Sequence, residues 1–197
     1  MSEFHYLPID ATAENARNMV HMTFLDLSHA NHPNALRYAN PGDTEHYSAQ
    51  YEKLQKNPEK YLGAFNDDER LVGFAKFNEW NGADQIPFQP FIERAAFRLH
   101  INRQMEIPHH PLGVYALVSH PVFSGGEDAA IDMQRDLLDN VIQIADGREM
   151  RITHFENDSA KAATTSRGFF STGQIGKVAG IKQTLFVRPE SPTEEAA

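Results

Sequence analysis

The chain has no cysteine, so neither disulfides nor thiolate chemistry is available to it. It is short of positive charge: 18 Lys and Arg stand against 27 Asp and Glu, a formal net charge of −9. That balance argues against a nucleic-acid partner, which demands excess cation, and it is compatible with a cationic small molecule. No apolar run approaches the length of a membrane span, and the N-terminus lacks a basic stretch followed by an apolar one. The expectation is a soluble, cytoplasmic protein with no membrane partner. No internal repeat is visible. What the chain does have is length: 197 residues suffice for one domain with a real core.

The informative stretch is 113–169. It opens with an apolar run, 113–118 (GVYALV), closed by Ser119, His120 and Pro121. β-Branched and aromatic residues without helical spacing predict a buried strand. The glycine pair Gly125 and Gly126 follows. A long helix is then expected over 127–146, because Ala130, Ile131, Leu137, Leu138, Val141, Ile142 and Ala145 recur three and four apart. Gly147 stands where a left-handed C′ residue is wanted. A second strand over 150–155 and a shorter helix ending before Gly168 complete the unit.

Two readings of the glycine loop stand. Glycines let backbone approach a ligand closely, and the first amides of a helix attract an anion. The same residues also spell a capping box, Ser124-x-x-Glu127, in which two side chains satisfy those amides themselves.

Val118-x-x-Pro121, the glycine loop, Asn157-Asp-Ser-Ala160 and Gly168-Phe169 come in an order and spacing that resemble the GNAT superfamily of acetyl-CoA-dependent N-acetyltransferases. The resemblance implies an α/β (α+β) fold: a mixed, mostly antiparallel twisted sheet flanked by helices in one domain. It also implies acetyl-CoA as co-substrate. This sequence departs from the family pattern in the loop, where Ser124 takes the usual Arg/Gln position and Glu127 replaces the second glycine. The position that often carries a tyrosine is Thr164, a far weaker acid. No glutamate occurs on the strand over 113–119, where many members keep a general base.

The rest of the chain extends the likeness. A short strand ends near Pro8, which suits an edge. Thr12 caps a helix with Ala16, Met19, Val20, Phe24 and Leu27 on one face. A second helix, capped by Asp43 or Thr44, aligns Tyr47, Tyr51 and Leu54. Strands over 61–65 and 71–77 form a hairpin around Asn66, with Val72 and Phe74 on one face and Leu71, Ala75 and Phe77 on the other. An insertion at about 81–112 is proline-rich, with a helix expected over 91–103; it reads equally as a surface addition or as a lid on the acceptor pocket. Final strands are expected over 170–175 and 183–187. The domain is placed at 1–188, and 189–197 reads as a disordered tail.

By resemblance, the backbones of Leu117, Val118 and Ser119 lie along pantetheine. Ser124, Gly125, Gly126, Glu127, Asp128 and Ala129 surround the pyrophosphate. Asn157 and Ser159 contact the cofactor, although Asn157 also suits a plain N-cap. His120, at the strand end, is the candidate base because imidazole titrates near neutrality; Tyr115 is a second candidate for proton relay. His29 and His32 lack a third ligand, so no metal is expected. The implied activity is acetyl transfer to a primary amine of a small molecule or peptide, with a homodimer left open. The alternatives are a GNAT-fold binding or scaffold protein that has lost acyl transfer, and an enzyme using a longer acyl-CoA.

Overall fold

A computed structural model describes residues 4–29, 44–80, 111–155, 160–178 and 181–190. The expectations placed on His32, Asp43, the helix over 91–103, Asn157, Ser159 and most of the tail lie outside the described residues. In chain order the elements are β1 (His5–Pro8), α1 (Ala13–His29), α2 (Thr44–Lys56), β2 (Tyr61–Phe65), β3 (Leu71–Glu79) and β4 (Leu112–Ser119). Then come a short turn α3 (Pro121–Ser124), the long α4 (Glu127–Ala145), β5 (Met150–Phe155), α5 (Ala160–Thr165), β6 (Phe170–Val178) and β7 (Ile181–Arg188). The last two strands run longer than their apolar residues suggest and absorb most of the connection expected between them.

The strands form one seven-stranded sheet in the order β1-β2-β3-β4-β5-β7-β6. β4 and β5 are parallel, and every other neighbouring pair is antiparallel. Pro8 lies in edge strand β1, where its missing N–H removes nothing from the ladder.

Two irregularities decide which residues face which side. Between β2 and β3 the register steps from Ala64↔Gly73 to Phe65↔Leu71, leaving Val72 without an opposite residue. Such a bulge inverts the side-chain alternation beyond it. The expected faces of β3 are therefore corrected: Leu71 and Phe74 share one core, while Val72, Ala75 and Phe77 share the other. Between β3 and β4 the register steps from Lys76↔Ala116 to Phe77↔Val114, and Tyr115 is the extra residue.

The two cores lie on opposite faces of the sheet. α1 supplies Ala16, Met19 and Met22 to one, where they meet Leu54, Tyr61, Leu71, Phe74 and Val118. Thr12 Oγ1 accepts from the Asn15 amide at 3.1 Å, the cap expected of it. α4 supplies Met133, Leu137, Leu138, Val141 and Ala145 to the other core. Ile131 and Ile142 are only half-buried, and Met133, absent from the expected stripe, is fully buried. Gly73 explains Met133: a Cβ there would lie 2.4 Å from its sulfur. α4 ends on Asp146 and Gly147, both left-handed (φ 48° and 77°). Tyr6 on β1 donates to the Asp136 carboxylate of α4 at 2.9 Å, tying the edge strand to the helix.

Trp80 and Pro111, the described residues on either side of 81–110, are joined at the sheet in a closed neck. The Trp80 amide donates to the Pro111 carbonyl at 2.7 Å. The Trp80 ring is buried over Gly113, lies 6.3 Å from the Tyr115 ring and carries the Arg151 guanidinium 5.3 Å from its centroid.

Candidate functional site

β4 is paired to β3 along its length, from Glu79↔Leu112 to Gly73↔Ser119. Its pairing to β5 is different. It covers Leu112↔Met150, Gly113↔Arg151 and Val114↔Ile152, and stops there. Toward its C-terminal end β4 thus has a seam beside it: the β5-facing backbone groups from Ala116 to Ser119 have no strand partner among the described residues. Backbone N–H and C=O groups in such a position require partners. Leu117 sends its side chain into the α4-side core and Val118 into the other. Ser119 is buried, and its hydroxyl donates to the Ala130 carbonyl at 2.7 Å, which pins the start of α4 to the end of the strand. Tyr115 is not at the seam. Its hydroxyl donates to the Glu79 carbonyl at 3.2 Å and its ring lies against Trp80.

Beyond Ser119 the chain makes two starts on a helix. His120 caps the first, with Nδ1 accepting from the Val122 amide at 3.3 Å. Pro121 occupies the first helical position, where no N–H is needed. After one turn Gly125 takes φ 90° and Gly126 φ 146°, and their amides both donate to the Pro121 carbonyl at 3.0 Å. These are conformations that β-carbon-bearing residues resist. Gly126 is the N-cap of α4 and has no side chain to offer.

The capping box expected from Ser124 and Glu127 is therefore absent. Ser124 belongs to the end of α3, and its hydroxyl turns back to the carbonyls of His120 and Gly126, each at 3.2 Å. The amides of Glu127, Asp128 and Ala129 consequently have no acceptor among the described residues. Those of Gly125 and Gly126 are spent internally. A Cβ at Gly125 or Gly126, just before these amides, would meet nothing within 4 Å among the described residues. The Glu127 and Asp128 side chains are exposed at this helix start.

No protein-family model matches the sequence, and no curated protein matches it. Solved structures do match. An acetyltransferase of Corynebacterium glutamicum, titled histone acetyltransferase HPA2 and related acetyltransferase, superposes with a TM-score of 0.62 at 16% identity, over 98% of this chain and 99% of that one. An N-acetyltransferase of Staphylococcus aureus gives 0.60 at 10% identity, over 93% and 99%. The protein yncA of Salmonella typhimurium, solved with its cofactor acetyl-CoA, gives 0.56 at 15% identity, over 98% and 96%. The fold is that of the GNAT acetyltransferases.

Within this GNAT fold, the position expected for a tyrosine is turned inward. Thr164 is fully buried and shares a 2.6 Å hydrogen bond with His154, itself 2% exposed and edge-on to Phe186. The sequence reading named Thr164 but not its partner. The signal for His154 was its alternation with Met150 and Ile152, which places it on the buried face of β5. Arg167 grips the Asp139 carboxylate through Nε and Nη2 at 2.9 and 2.7 Å. Among the described residues, no three His, Asp or Glu cluster as a metal site, and no helix is long and apolar enough to cross a membrane.

Proposed function

We propose that the chain transfers an acetyl group from acetyl-CoA to a primary amine of a small molecule or peptide by direct attack on the thioester. The observation that carries this is the seam beside Ala116–Ser119 leading to the uncapped amides of Glu127, Asp128 and Ala129. Acetyl-CoA supplies an activated acyl carbon on an arm that carries amides and ends in a pyrophosphate. The strand edge offers backbone donors and acceptors to the arm, and the helix start offers three N–H groups and a favourable dipole to the anion. Glu127 and Asp128 weaken that field unless their side chains stay in solvent.

His120 is the proposed acceptor of the ammonium proton. Its Nδ1 takes the Val122 amide, so the neutral ring carries hydrogen on Nε2, and Nδ1 is the basic atom. Taking the proton there releases the Val122 cap. Two variants separate cap from base. His120→Ala should lose about 1 kcal/mol of stability with the cap and roughly 10²–10⁴ in turnover. His120→Asn should restore the melting temperature without restoring turnover. Recovery of both by asparagine reduces His120 to a cap.

The buried Thr164 supports a second reading, a GNAT-fold protein that binds without transferring. Titration with CoA and acetyl-CoA, followed by thiol release across a panel of amines, decides between them. The chain contributes no cysteine background to a thiol reagent. At a hundredfold excess over Kd, binding should stabilise the fold by about 2.7 kcal/mol. Binding with no thiol release from any amine favours the second reading; no binding removes both.

A further inference from the structure

The buried residues of α4 are Ala130, Met133, Gln134, Leu137, Leu138, Val141 and Ala145, and Gln134 alone among them is polar. It is 4% exposed, and its Oε1 has no hydrogen-bonding partner among the described residues. A buried oxygen left in that state works against the fold, and native structures keep few of them. Its position points to what fills it. Ala130, one turn earlier on the same stripe, takes the Ser119 hydroxyl at 2.7 Å, which registers the stripe over the C-terminal end of β4. Helical side chains lean toward the N-terminus of their helix, so Gln134 leans toward Ala130 and Ser119. Below that point β4 has lost β5, because their pairing ends at Val114↔Ile152. Among the described residues, a buried side-chain acceptor and a strand edge without partners thus belong to the adjoining ends of α4 and β4.

We propose that Gln134 is a positioning residue for the arm of CoA: its carboxamide oxygen accepts a hydrogen bond from an amide N–H of the arm lying along Ala116–Ser119. This rests on the acetyl-CoA reading above. It adds a selectivity the strand edge alone lacks, since an arm without an amide at that height leaves the buried oxygen orphaned.

The test uses the full chain and Gln134→Met, which fills a similar volume without a polar group, with Gln134→Leu standing in should the methionine variant fail to fold. Each is titrated with CoA and with adenosine 3′,5′-bisphosphate, which keeps the nucleotide end and has no arm. The variant should melt at or above the parent temperature, because the orphan is gone. It should bind CoA about tenfold more weakly and bind the bisphosphate unchanged. CoA affinity equal in parent and variant overturns the role of Gln134 while leaving acetyl-CoA binding intact. Equal weakening toward both ligands also overturns it, since the loss is then not specific to the arm. Failure of the parent protein to bind CoA overturns the acetyl-CoA reading and this inference with it.

Discussion

Leu138→Ala should lower the stability of the protein by about 2–5 kcal/mol. Leu138 is fully buried on α4 and belongs to the core that joins the helix to β2, β3, β4 and β5 through Leu62, Ala75, Leu117 and Ile152. Removing three carbons there forfeits their transfer free energy and leaves a cavity that a sheet and a helix held at several points cannot close. For a chain of this length the melting temperature should fall by on the order of 10 °C. Thermal and denaturant unfolding check the value. A shift of a degree or two would mean that α4 is not seated on the sheet as described.

Thr164→Tyr, which installs the residue the GNAT resemblance leads one to expect, should destabilise the fold by about 3 kcal/mol or more and confer no gain in turnover. The Thr164 side chain is fully enclosed, and His154 already stands 2.6 Å from its oxygen. A phenol has no room beside that imidazole without displacing it, and the short Thr164–His154 hydrogen bond is lost with the threonine. A variant melting like the parent would show that the space about His154 accepts a ring. A faster variant would show that the tyrosine reaches the leaving thiolate after all. In either case the inward turn of Thr164 would lose its meaning.

Much of this architecture was legible because period and punctuation agree in the sequence. α4 announces itself through three-and-four spacing and ends at Gly147; α1 through Thr12 and its stripe; β1 through Pro8. The bulges at Val72 and Tyr115 were not legible. A bulge is a relation between two strands, and nothing in one strand's alternation marks where a partner will skip a residue. Ser124 and Glu127 show a different limit. Their spacing fits a capping box, but Pro121 and the cap from His120 start a helix one turn too early, so Ser124 is already spoken for. Gln134 sat within an apolar stripe throughout, and a lone amide on a buried face is a signal that periodicity counting passes over.

The Trp80–Pro111 neck has an entropic consequence. The free energy of closing a chain segment grows only with the logarithm of its length, so doubling it costs about 0.6 kcal/mol. Once the Trp80 amide and the Pro111 carbonyl fix the two ends, the closure entropy depends only weakly on how many residues lie between them. The Trp80 ring, against Gly113 and with Arg151 on it, adds to the hold on that end. Segments of other lengths grafted at this point should therefore change what borders the sheet without asking the sheet to refold.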